Sequence, residues 1–222
     1  MKKVFIASLL ALSAFSASAQ VAATVNIGVN SNNIYRGQSV SDDKPSVTAG
    51  FGLSTKVATA TVYGDVQAST AVDNGKVDLT VGVTVPVGPL TVGGGYRNHS
   101  YVSKSFEFDK TMKSSEVFVG VSVDVAGGKL AGEYSRNNHP SDYKVDFMKL
   151  GYTHQVLVPQ LTFGATVTAY KRDAVRLNGY ELSAAYAFTK NLNANALVAY
   201  TRKDAFSDKL SPVASVGMSY KF

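Results

Sequence analysis

Period-two alternation runs through this chain almost without interruption, and no stretch after residue 20 keeps a period of 3.6 in competition with it. Val25, Ile27 and Val29 alternate with Thr24, Asn26, Gly28 and Asn30. Val77, Leu79, Val81, Val83 and Val85 alternate with Asp78, Thr80, Gly82 and Thr84. Val117 to Val125 keep the odd positions against Glu116, Phe118, Gly120, Ser122 and Asp124, and Leu161 to Ala169 do so against Thr162, Gly164, Thr166 and Thr168. Successive side chains of a strand point to opposite faces, so each run has one apolar face and one small or polar face. That is a sheet wetted on one side only.

Composition narrows the choice. The 222 residues include no cysteine, which excludes disulfides and thiolate metal sites. Only 17% are charged and 45% are hydrophobic, and the mean hydropathy is +0.01. That average is too low for a bundle of membrane helices and too apolar for a disordered chain. A soluble all-β domain or a β-barrel remains.

The first residues speak for export. Met1-Lys2-Lys3 is a positive start, Val4 to Leu12 is mostly apolar, and Ala17-Ser18-Ala19 fits a small-x-small cleavage site. Residues 1–19 are expected to be a signal peptide. The apolar run is too short for a spanning helix. Cleavage leaves residues 20–222 as one barrel domain, and loss of Lys2 and Lys3 lowers the formal net charge from +6 to +4.

About twelve strands are expected, over 22–32, 45–55, 57–67, 76–86, 90–98, 115–125, 129–135, 143–153, 161–170, 179–188, 192–201 and 212–222. Most have the ~9–11 residues a tilted strand needs to cross hydrocarbon. The eighth mixes parities, Val145 and Phe147 against Met148, Leu150 and Tyr152, and a bulge near Phe147 would reconcile them. Connections around Thr55-Lys56, 87–89, 126–128, 154–160 and 189–191 read as mostly tight. Those at 33–44, 68–75, 99–114, 136–142, 171–178 and 202–211 read as longer and polar. Short turns alternating with long loops fit an up-and-down antiparallel transmembrane barrel with both termini on the periplasmic side of the bacterial outer membrane. The apolar face then meets lipid. Tyr35, Tyr96, Tyr134, Tyr186, Tyr200, Tyr220 and Phe222 share the lipid parity near strand ends and are expected to form the aromatic girdles. The final strand stops on Phe222, the kind of end the barrel assembly machinery reads.

Residues 33–50 carry a denser pattern: Tyr35-Arg36-Gly37, then Ser39-x-Ser41, Asp42, Pro45 and Gly50. It resembles the opening hairpin of the TorF-like porins, proteobacterial outer-membrane proteins. The resemblance implies a barrel with a channel role, and covers about 18 residues sharply. Two departures stand out: Ser46 replaces the family's usual Ala, and the Asp-Tyr that often precedes the motif is missing. From the residues themselves, Gly37 can take positive φ at the turn, Ser39, Ser41 and Asp42 can bond nearby backbone, and Pro45 fits the first position of a strand. Arg36 shares the parity of Thr24 and Asn26, so it should face the lumen near the outer rim and pair with Asp42, Asp43 or a lumen acid.

The expected pore-lining residues are Arg36, Asp65, Asp78, Arg97, Glu116, Asp124, Glu133 and Glu181, with Lys76 and Lys221 on the same parity. Charges in such a wall must be hydrated or paired. Acids outnumber bases in this set, which suggests weak cation preference, and the loop 99–114 is the expected constriction. The positive loop residues Lys104, Lys110, Lys113, Arg136, Lys171, Arg172, Arg176, Arg202, Lys203 and Lys209 suit contact with lipopolysaccharide phosphates.

Enzyme readings are weaker. His139-Pro140-Ser141 has the His-x-Ser spacing of outer-membrane barrel lipases, but Pro140 breaks strand pairing and Asp142 stands where an Asn would be needed. His99, His139 and His154 lie apart in loops and a turn, with no metal-ligand spacing. Gly127-Gly128-Lys129 is followed by Leu130 and reads as a hairpin turn rather than a phosphate cradle. No basic helix or aromatic groove suits nucleic acid. The expectation is a narrow, charge-lined channel passing small hydrophilic solutes, with no cofactor and no catalysis. Its partners are outer-membrane lipid, lipopolysaccharide and the assembly machinery. The alternatives are a plugged adhesive or structural barrel and, last, a lipid-modifying enzyme.

Overall fold

The structure is a computed structural model that describes residues 21–36, 38–41, 43–71, 75–102, 114–139, 145–156, 158–171, 175–201 and 212–222. The signal-peptide residues 1–19 lie outside them. Fourteen strands follow one another: β1 (Val21–Asn30), β2 (Ile34–Tyr35), β3 (Gln38–Ser39), β4 (Ser46–Val57), β5 (Ala60–Ala71), β6 (Gly75–Val87), β7 (Leu90–Val102), β8 (Ser114–Val125), β9 (Gly128–His139), β10 (Asp146–Gln155), β11 (Leu161–Lys171), β12 (Val175–Ala187), β13 (Leu192–Thr201) and β14 (Val213–Lys221). All but β2 and β3 pair antiparallel with their sequence neighbours, and β1 closes on β14 to make a twelve-stranded barrel. Closure leaves no edge strand, as a wall in lipid requires.

The two faces have the chemistry that alternation demanded. Among the described residues only Val145, Tyr170 and Ala199 are buried apolar side chains, whereas eleven polar or charged ones are buried. Large apolar residues are instead exposed on the outside: Val25, Phe51, Leu79, Val119, Leu182 and Val216 among many. In water this inversion would forfeit most of the hydrophobic driving force, about 25 cal/mol per Å². It is favourable only where the outer face meets hydrocarbon. Tyr186, Phe188, Tyr220 and Phe222 lie outward at the end with the short turns, while Tyr180 and Tyr200 face each other across β12 and β13 nearer the other end. Tyr96 and Tyr134 are outward too.

The tight turns follow backbone chemistry. Ala126 and Gly127 join β8 to β9 with φ of 49° and 73°, the two positive angles of a type I′ turn. The first short turn is Ala58-Thr59 rather than Thr55-Lys56, because β4 and β5 pair as far as Val57 and Ala60. Two connections expected to be long contain three residues each, 72–74 and 172–174. There the strands continue past the hydrocarbon, where both faces are wet and alternation loses its meaning. Of the expected constricting loop 99–114, residues 99–102 belong to β7 and Ser114 begins β8, because the strands run on past the hydrocarbon, and 103–113 lie outside the described residues.

No bulge occurs at Phe147. The strand β10 keeps unbroken register with both neighbours, Phe147 standing opposite Tyr170 and Ser135. The register shifts lie elsewhere, at Ser115/Glu116 and Thr168/Ala169. Met148 and Leu150 face lipid, and Phe147 is an inward aromatic with a cation against it, so the mixed parity needs no kink. The histidines are strand residues: His99 in β7, His139 in β9 and His154 in β10.

Candidate functional site

The connection from β1 to β4 turns back into the barrel mouth. Its β2 and β3 form a hairpin in which Ile34 pairs with Ser39 and Tyr35 with Gln38, and Arg36 follows β2 at the turn. Arg36 holds φ at 52°, a left-handed value that an arginine adopts only when its surroundings compel it. Gly37 and Asp42 lie outside the described residues. The base of the loop is organised by Asn32, which is 5% exposed. Its side-chain oxygen accepts from Ser39 Oγ at 2.8 Å and from Ser41 Oγ at 2.9 Å, and its Nδ2 donates to Asp43 Oδ1 at 2.7 Å. Asp43 N donates to Ser39 Oγ at 2.7 Å, and Asn33 N to Ser41 Oγ at 2.9 Å. Ser39 and Ser41 thus shape the loop, but around an asparagine that the motif did not single out. Asp43 serves this base and makes no pair with Arg36.

Arg36 reaches the far wall instead. Its Nη2 donates to Glu116 Oε2 at 2.6 Å and to Ser135 Oγ at 3.2 Å, and its guanidinium lies 3.7 Å from the centre of the Phe147 ring. Glu116 is 2% exposed and also accepts from Arg97 Nη1 at 2.7 Å and Ser135 Oγ at 3.1 Å, with His99 Nε2 at 3.3 Å. Arg97 continues to Glu133 at 3.3 Å and rests on Phe118 at 4.6 Å. His99 Nδ1 meets Asp78 Oδ1 at 2.6 Å, and Asp78 Oδ2 receives Lys76 Nζ at 2.9 Å. Paired and charge-assisted contacts of this kind let charges stay inside a wall where lone ones would not.

Tyr35 belongs to this network, not to the outer girdle. Its hydroxyl lies 3.1 Å from His99 Nε2, and Lys76 Nζ sits 3.5 Å from its ring centre. The loop's inward fold carries the tyrosine across, since β1 ends at Asn30 and its parity stops there. Burial pushes the Tyr35 hydroxyl well above the usual range, so it stays a neutral phenol.

Of the eight residues singled out in the sequence, Arg36, Asp78, Arg97, Glu116 and Glu133 converge here. Asp65 stands on β5 between Gly52 and Thr80, Asp124 faces Lys129 near the short-turn end, and Glu181 stands on β12 between Thr166 and Ala199. Inside the hairpin tip is a cavity of about 280 Å³ whose walls include Arg36, Arg97, Glu133, Phe147, Lys149 and Glu181. A second, of about 410 Å³, continues toward the short turns and shares Glu133 and Lys149. His99, Ser135, Phe147 and Lys149 were missed. His99 is two residues after Arg97 and shares its face, a parity signal that was readable. Lys129 and Lys149 line the second cavity, so the excess of acids behind the expected cation preference does not hold.

Of the basic residues expected in loops, Arg136 is a β9 residue that pairs with Asp146 at 2.7 and 3.0 Å on the outer face. Lys171 ends β11 and Arg176 lies in β12. The other seven fall outside the described residues.

A profile of Gram-negative porins matches residues 13–205, most of the chain. This chain belongs to the Gram-negative porin family. The porin is an outer-membrane β-barrel with a channel role. No curated protein matches its sequence. Among solved structures it resembles the KdgM porin in complex with disordered oligogalacturonate, with a TM-score of 0.59 and 10% identity over 90% of this chain and 99% of that one. The NanC porin gives 0.54 and 13%, over 90% and 100%. Outer membrane phospholipase A from Escherichia coli gives 0.57 and 9%, over 89% and 92%. These are likenesses of fold. Channels and a phospholipase share the barrel, so the architecture alone does not choose between them, and the family match supports the channel role.

Proposed function

We propose that this porin passes small hydrophilic solutes by passive diffusion through a lumen whose walls carry charges of both signs. The observation that carries the reading is the inverted face pattern: among the described residues, eleven buried polar or charged side chains inside and an apolar outer surface. Two cavities beneath the hairpin, which share Glu133 and Lys149 in their walls, support room for such solutes. Within the family, the Tyr35-Arg36-Gly37 motif and its following serines support a TorF-like assignment. We further propose export through a signal peptide at 1–19, assembly through the Phe222 end, and non-specific contact of the outer basic residues with lipopolysaccharide phosphates. Catalysis has no part in this reading. His139 ends β9, Pro140 and Ser141 lie outside the described residues, and Pro140 cannot continue the ladder.

The inward hairpin favours a second reading, a barrel closed at its mouth and used for adhesion or envelope structure. Single-channel recording of refolded protein in a planar bilayer separates the two. The porin reading expects steady open steps that scale with salt. Silence, from protein that is folded and inserted, would overturn it.

A further inference from the structure

We propose that the pocket around the Arg36 guanidinium is a solute site for guanidinium-bearing cations, filled in cis by the first loop acting as a tethered mimic. The inference rests on the porin reading and names the solute class that its outer mouth selects.

The pocket belongs to the wall. Glu116 comes from β8, Ser135 from β9 and Phe147 from β10. Glu116 is also held by Arg97 and stands beside His99, so it keeps its place and remains partnered when Arg36 leaves. The contacts suit one kind of cation. A carboxylate lies 2.6 Å from one guanidinium nitrogen, a hydroxyl 3.2 Å away, and an aromatic face 3.7 Å from the planar carbon. A flat, delocalised, weakly hydrated cation can donate in its plane while stacking on its face. A compact ammonium cannot do both at once.

The mimic is held loosely enough to be displaced. The hairpin is rigid within itself through the Asn32 hub. The contacts that hold its tip to the far wall are few: Arg36 to Glu116, Ser135 and the Phe147 ring, and Tyr35 to His99 and Lys76. Arg36 also sits at φ 52°, a conformation that weakens the tethered ligand's own hold. The adjoining cavity of about 280 Å³ has Glu133 and Glu181 together with Arg97 and Lys149 in its wall, charges of both signs that suit the ammonium and carboxylate of a free amino acid. A short tether presents its ligand at roughly millimolar effective concentration, so free solute competes at millimolar levels.

The test uses the full barrel refolded into a bilayer, with L-arginine as probe and L-lysine as control. Arg36→Ala should raise the mean single-channel current. It should also let L-arginine produce brief interruptions at concentrations about tenfold below those L-lysine needs, the effect of one lost stacked contact of about 1.4 kcal/mol. Phe147→Leu in that background should erase the difference between the two probes. Equal action of arginine and lysine on Arg36→Ala, or a preference that survives Phe147→Leu, would overturn the proposal. The substituted residue lies in a loop, and gel migration of the unheated barrel confirms that the wall has folded. Calorimetric binding of L-arginine to Arg36→Ala separates the two layers. Binding without conduction would remove the porin reading and keep the site, and conduction without binding would remove only the site.

Discussion

Substitution of Glu116 by glutamine keeps the shape of the side chain and removes its charge. The carboxylate is 2% exposed and stands within 3.3 Å of Arg36, Arg97, His99 and Ser135. In a dry interior, removing one member of such a cluster costs about 3–5 kcal/mol, because the partners are left as unpaired buried charges. Two features lower the figure here. Arg36 and Arg97 are each 21% exposed, so lumen water reaches them, and each keeps a second contact, the Phe147 ring and Glu133 respectively. The expected loss is therefore about 2–3 kcal/mol, one or two charge-assisted hydrogen bonds. Urea unfolding of the barrel refolded into lipid vesicles measures it. Circular dichroism is the suitable probe, since the chain has no tryptophan. Glu181→Gln is the control: that side chain makes no ion pair among the described residues and should change stability by under about 0.5 kcal/mol. With its anchor gone, the hairpin should also become open to trypsin at Arg36. Equal stability of the two variants, with Arg36 still protected, would refute the claim that Glu116 holds the loop in the lumen.

Three further outcomes follow from the same structure. Val119→Arg places a charge on the lipid face midway along β8 and should cost about 2–4 kcal/mol in vesicles, whereas Thr166→Arg on the lumen face should be nearly neutral. Gly95→Ala should cost about 1–3 kcal/mol, because its Cβ would collide with the Val81 carbonyl and lie 2.8 Å from Phe118, the ring beneath Arg97. A chain lacking Phe222 should refold in detergent with stability changed by less than about 1 kcal/mol, since that ring is 70% exposed, while its level in the outer membrane, read by immunoblot, should fall.

The wall was legible because its rule is local. Alternation over nine to thirteen residues needs no knowledge of partners, and every one of the twelve wall strands overlaps a stretch read from residues alone. Boundaries failed where the rule loses force, at Ala58-Thr59 and where β5, β6, β11 and β12 run on past the hydrocarbon. The eighth strand misled for a chemical reason: Phe147 is apolar and faces inward, because its partner is a guanidinium. Tyr35 misled for a topological one, since parity counted from β1 means nothing once the chain leaves the sheet at Asn30. The motif around Arg36 marked an important loop without telling where its side chains would go.

The sequence by itself determined the two-faced wall, a count of about twelve strands, the solvent each face needs and the end on which the termini lie. Those follow from a period of two and from hydrogen bonds that must close on themselves in hydrocarbon. Only the tertiary structure decided which charges meet. Arg36 and Glu116 are 80 residues apart, and Arg36 and Ser135 are 99 apart. Curling the sheet into a tube brings distant strands to face one another across the lumen, and folding the first loop inward carries Arg36 to them. Contacts made through a closed interior depend on closure, which no local pattern encodes.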